Sequence, residues 1–164
     1  MPKKVSLMGL CLATAMLLSY VETLIPPLVA FPGIKAGLAN IVVIFALWRF
    51  GFKEASLISF SRIILCTLIF GNFVSFWYSL CGATLSLIVM ALLKKTEKFS
   101  VIGVSIAGGV MHNVGQILIA IFILGSRAVL SFLPALIIFG AVSGVAIGTL
   151  SALLIKKLEK TKFY

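Results

Sequence analysis

The sequence contains no aspartate, and its acidic residues are limited to four glutamates, Glu22, Glu54, Glu97 and Glu159. Enzymes that hold a phosphorylated substrate through magnesium gather carboxylates around the metal, and four dispersed glutamates do not build such a site. No Gly-x-x-x-x-Gly-Lys-Ser/Thr stretch is present to cradle nucleotide phosphates. Any ATP-driven work therefore belongs to another chain. Histidine occurs once, at His112, and cysteine three times, at Cys11, Cys66 and Cys81, each inside an apolar run and without metal-ligand spacing. The cysteines read as small buried hydrophobes. Neither a metal site nor a resident cofactor nor a catalytic residue is expected.

Charge is scarce too. Only 11% of the 164 residues are charged while 62% are hydrophobic, and the mean hydropathy is +1.23; soluble domains carry roughly 25% charged residues. No soluble core absorbs that much apolar surface. The apolar residues fall into runs at 6–21, 36–48, 55–70, 73–93, 101–124 and 128–155, each bounded by charge, Pro, Gly or Asn. A membrane helix needs about 20 apolar residues to cross about 30 Å of hydrocarbon. The expected fold is thus an all-α integral membrane bundle, a single transmembrane domain over 1–164 with about six transmembrane helices. The first three runs are short enough to extend into their flanks, thin the bilayer or be partly re-entrant. Five helices is the competing count, and the run after Lys3 and Lys4 reads as a membrane helix rather than a cleaved signal.

The net charge of +10 is topology rather than a nucleic-acid surface, because the basic residues sit between apolar runs instead of forming an exposed stripe. With the amino terminus inside, eleven lysines and arginines lie in cytoplasmic segments, against Lys35 and Arg127 outside and Arg62 in mid-helix. That asymmetry requires an even number of crossings and puts both termini in the cytoplasm. The expected location is the cell membrane, with lipid as a constant neighbour.

The outer connection 22–35 carries Pro26, Pro27, Pro32 and Gly33 among apolar residues. Proline stops helix propagation, so this segment is either a lid against the bundle or an inert turn in the headgroups. Gly140, Gly144, Gly148 and Ala152 repeat every four residues and lay down a groove for close helix approach. Gly9 with Ala13, and Gly103 with Ala107, form weaker versions. Such grooves pack the chain's own helices or receive a partner.

Polar groups inside a bilayer are costly and mark candidate sites. Arg62, eight residues from both Glu54 and Phe70, falls about 12 Å from each end of its helix. Its permanent charge calls for carbonyls, water, a carboxylate or an anionic ligand; the alternatives are snorkelling or a partner on its own helix such as Ser59. His112 and Gln116 share a helix face with Gly108, and Asn113 lies beside them. This arc fits either interhelical hydrogen bonding or a cavity. Lys35 and Asn40 open the second run and Asn72 the fourth, where Trp77 and Tyr78 fit an interfacial aromatic belt. The ligand-binding candidates are therefore Lys35, Asn40, Arg62, Asn72, His112, Asn113 and Gln116. With Lys35, Arg62 and a protonated His112 opposed only by Glu22, the expected ligand is anionic or phosphate-bearing.

Two stretches, 32–40 (PGIKAGLAN) and 109–116 (GVMHNVGQ), resemble the Gx transporter family, which also bears the label heptaprenyl diphosphate synthase component I. The resemblance spans nearly the whole chain. That family is similar to the substrate-binding S components of energy-coupling factor transporters. The resemblance implies a six-helix membrane protein that captures a small vitamin-like or isoprenoid-precursor molecule from outside. A T component and two cytoplasmic ATPases would then supply energy. It also implies partner docking through small residues of the first helix, here Gly9 and Ala13, which depart from the usual alanine pair. Transport is the preferred reading on sequence. A non-catalytic membrane subunit that recruits a prenyl synthase is the alternative, and a scaffold of a redox complex is the third.

Overall fold

A computed structural model describes residues 2–25 and 37–160. The described chain is helical: α1 (Pro2–Leu24), α2 (Asn40–Arg49), α3 (Phe52–Phe70), α4 (Phe73–Lys95), α5 (Val101–Leu124), a short 3-10 segment (Arg127–Phe132) and α6 (Leu133–Lys160). No strand occurs among the described residues. Four stretches, Lys3–Leu24, Phe73–Lys95, Val101–Leu124 and Arg127–Leu158, are long and apolar enough to cross a membrane, which makes this a membrane protein. α3 is 19 residues long but carries Lys53, Glu54 and Arg62.

α2 departs most from the expected run. It has only ten residues, about 15 Å of helix, because Gly37 at φ +80° and the turn after it delay the start to Asn40. Val42 to Leu47 are all buried, as expected of a helix apolar all round. The run 128–155 is also divided, with a 3-10 segment before α6; the Ser126 hydroxyl accepts from the Ala128 N–H at 3.2 Å and starts that tighter turn.

Local sequence explains the other boundaries. Asn72 caps α4 by accepting from the Ser75 N–H at 2.7 Å, and Ser100 caps α5 through the Gly103 N–H at 3.2 Å. Gly125 ends α5 at φ +61°, and Gly51 turns the chain from α2 into α3 at φ +107°. Both backbone conformations favour glycine.

Successive helices alternate in direction, and their basic ends coincide. Lys4 at the start of α1 pairs with Glu54 at the start of α3. Lys94 at the end of α4 donates to the Leu47 carbonyl of α2 at 2.7 Å, with its ammonium 5.3 Å from the Trp48 ring centroid.

The tightest packing runs through α5, whose most extensive contacts are with α6 and α4. A Cβ on Gly109 would lie 2.4 Å from the Gly140 carbonyl oxygen, and one on Gly144 would lie 2.6 Å from Ile106 Cα. Gly148 similarly abuts Ile102 and Ser105. The glycine ladder of α6 is therefore filled by the chain's own α5, through backbone approach of the small-residue type. On the other side of α5, a Cβ on Gly115 would lie 2.7 Å from the Cys81 carbonyl oxygen. α1, α2 and α3 pack less extensively.

Candidate functional site

A polar cavity lies where the helices converge. Its wall includes Glu22 of α1, Asn40 and Ile44 of α2, Arg62 of α3, Ser79, Ser86 and Met90 of α4, and Ser143, Gly144 and Ile147 of α6. α5 contributes Ser105, Gly108, Gly109, His112, Asn113 and Gln116. All six α-helices thus supply lining residues. The small residues of α5 open the space and its polar ones furnish the hydrogen-bonding groups.

Five of the seven sequence-selected residues, Asn40, Arg62, His112, Asn113 and Gln116, line this one space. Asn72 stands apart, exposed and engaged as the α4 cap. Lys35 lies outside the described residues, as does most of the proline-bearing connection.

Arg62 turns inward. Its Nη1 donates to the Ser19 hydroxyl oxygen of α1 at 2.9 Å, rather than to Ser59 on its own helix. Its buried Nε has no hydrogen-bond partner among the described residues. A guanidinium so placed retains a directional donor for an acceptor in the cavity. Glu22 lies within electrostatic range of Arg62, and one of its oxygens accepts the Leu38 N–H at 2.7 Å. That carboxylate therefore ties the end of α1 to the turn that leads into α2.

The α5 residues divide their work. Asn113 donates from Nδ2 to the Leu136 carbonyl of α6 at 2.7 Å in a buried bond, so it joins two helices as well as lining the cavity. The His112 ring packs on Gly82, where a Cβ would lie 2.9 Å from both Cε1 and Nε2. Glycine at 82 is what admits the imidazole between α4 and α5. Gln116 is buried on the same face.

Sequence reasoning did not select Glu22, Ser19, Ser79, Ser86, Ser105 or Ser143 for the site. Glu22 was placed in the outer connection, whereas it belongs to the last turn of α1. The serines carry no distinctive spacing, and their grouping arises only when four helices meet. Among the described residues no set of His, Cys, Asp and Glu side chains is arranged to hold a metal ion.

The cavity measures about 60 Å³. A water molecule needs roughly 10–15 Å³ of such space, so the cavity admits about four, whereas sites for vitamin-sized ligands measure about 300–1,000 Å³. Anything larger than a few solvent molecules exceeds this volume.

The fold and this polar centre define a class: an all-helical membrane protein whose half-buried arginine and buried amides face an internal cavity. The profile of the family described as heptaprenyl diphosphate synthase component I matches residues 11–154, and the chain belongs to that family. Membership of a family named for a component of a synthase agrees with a chain that is not itself an enzyme. No curated protein and no solved structure matches the chain.

Proposed function

We propose that this protein is a non-catalytic binding subunit, a single transmembrane domain that crosses the cell membrane six times with both termini in the cytoplasm. The cavity holds a small molecule with an acceptor group for Arg62. The observation that carries this reading is the buried Arg62 Nε facing a space lined by His112, Asn113 and Gln116. A charged donor removed from water is costly unless an acceptor meets it. The gathering of basic residues at one end of the helices supports the orientation.

The family name favours a subunit that accompanies heptaprenyl diphosphate synthase over a transporter component. The catalytic partner would then be a separate, carboxylate-rich prenyl transferase. A second reading, an S-like component of an energy-coupling factor transporter served by a T component and two ATPases, is favoured by the cavity itself. A purely structural scaffold of a redox complex needs no such polar centre.

The binding test is mass spectrometry of small molecules carried through purification of the full chain. Arg62→Ala and His112→Ala should each lower the amount of co-purified ligand at least tenfold while the protein remains folded. Unchanged recovery in both variants removes the cavity from the function. Affinity capture then separates the two systems: a prenyl synthase whose activity rises with this subunit supports the first, and a T component with ATPases supports the second.

A further inference from the structure

Two opposite charges stand in the wall of the polar cavity, the Glu22 carboxylate of α1 and the Arg62 guanidinium of α3. Glu22 is buried and lies within electrostatic range of Arg62. The other polar side chains described there are serine hydroxyls, the amides of Asn40, Asn113 and Gln116, and His112. Hydroxyls and amides donate and accept hydrogen bonds without carrying charge, and a histidine at its ordinary pKa is mostly neutral at pH 7. Among the described residues the wall therefore has no net formal charge, only a negative pole and a positive one.

That division constrains the guest more than the arginine alone does. A purely anionic guest, the expectation from sequence, satisfies Arg62 Nε but brings its charge close to Glu22 as well, and like charges repel strongly where water is scarce. A guest that also carries a cation removes this penalty by meeting the carboxylate. A carboxylate accepts up to about four hydrogen bonds, so Glu22 serves the Leu38 N–H at 2.7 Å and further donors together. We infer, on the binding function proposed above, that the part of the ligand held in this cavity is zwitterionic, with an oxyanion against Arg62 and an ammonium or similar cation against Glu22. A volume of about 60 Å³ suits such a compact pair of groups, and the serines and amides between the poles hydrogen-bond to either.

The test is saturation-transfer NMR on the full chain in nanodiscs at about pH 8, where an ordinary histidine is neutral. Free glycine and propionate are the observed probes, and inorganic phosphate is the competitor. Propionate is glycine with a methyl group in place of the ammonium, so the pair isolates the cationic pole. Glycine should bind roughly tenfold or more tightly than propionate, and phosphate at equal concentration should not displace it. Glu22→Gln should reduce the preference for glycine about tenfold, while its amide oxygen still accepts the Leu38 N–H and keeps the turn into α2. Arg62→Gln should weaken both probes. Circular dichroism checks that each variant is folded, and the wild-type comparison decides without any variant. A wild-type preference for propionate or phosphate, or a glycine preference that a folded Glu22→Gln leaves unchanged, would overturn the zwitterion and leave the binding cavity standing. Absence of saturation transfer from both probes would overturn it too, and recovery of co-purified ligand in Arg62→Ala then judges the binding function separately.

Discussion

Arg62 of α3 donates to Ser19 of α1 at 2.9 Å, two residues 43 apart in sequence that meet deep within the helices. The bond turns a charged side chain away from lipid and towards the cavity. It also ties α1 to α3, whose mutual packing is otherwise modest compared with that around α5.

Ser19→Ala should therefore lower stability by about 1–2 kcal/mol, in the range for hydrogen bonds to charged groups and moderated in a membrane by partners available to the unfolded state. A double-mutant cycle with Arg62→Met, measured by reversible unfolding in mixed micelles, should return a coupling near 1 kcal/mol. Strict additivity would mean that the bond contributes nothing.

Glycines with different surroundings should respond differently to alanine. At Gly109 the added Cβ would meet the Gly140 carbonyl oxygen at 2.4 Å, while at Gly9 it meets nothing within 4 Å. Gly109→Ala should cost about 1–3 kcal/mol by overpacking α5 against α6. Gly9→Ala should leave stability unchanged or slightly raised. Thermal unfolding in detergent measures both, and equal effects would contradict the packing described for α5. Gly9 and Ala13 are both exposed, and partner docking there is what the family resemblance implies. Gly9→Leu should accordingly reduce capture of a partner without lowering the melting temperature of the isolated chain.

Acid should loosen the basic end. The hydrogen bond from Lys4 holds the Glu54 carboxyl below its ordinary value of 4.5. A carboxyl depressed in the folded state stabilises the fold above its unfolded pKa, and this contribution disappears as pH falls through the folded value. The melting temperature of the wild type should therefore fall between about pH 5 and pH 3, and Lys4→Ala should flatten part of that fall. An identical acid profile in Lys4→Ala would show that the pair makes no difference to stability.

The residues differ in how plainly the sequence announced their places. His112 and Gln116 are one helical turn apart, and their shared face with Gly108 was visible from spacing alone; all three line the cavity. Arg62 was conspicuous as a permanent charge in an apolar run, yet its partner was not, because Ser19 lies on another helix and serine is unremarkable in either setting. Asn72 and Asn40 both sit at helix starts, but the Asn72 side chain serves the backbone as the α4 cap while Asn40 lines the cavity. Glu22 was misplaced because no local signal distinguishes the last turn of α1 from the connection beyond it. Its role depends on Leu38 and Arg62 arriving from elsewhere in the chain. The glycine ladder of α6 announced a close approach without naming the neighbour, and only tertiary structure shows that the neighbour is α5.

Backbone stands directly against backbone on both flanks of α5, at Gly115 with Cys81 and at Gly109 with Gly140. Such junctions have no side-chain padding to compress, so the last three long helices behave as a stiff slab. On the binding function proposed above, the first three helices are the ones free to yield to a larger guest, and a cross-link pinning α2 to α6 should lower ligand recovery.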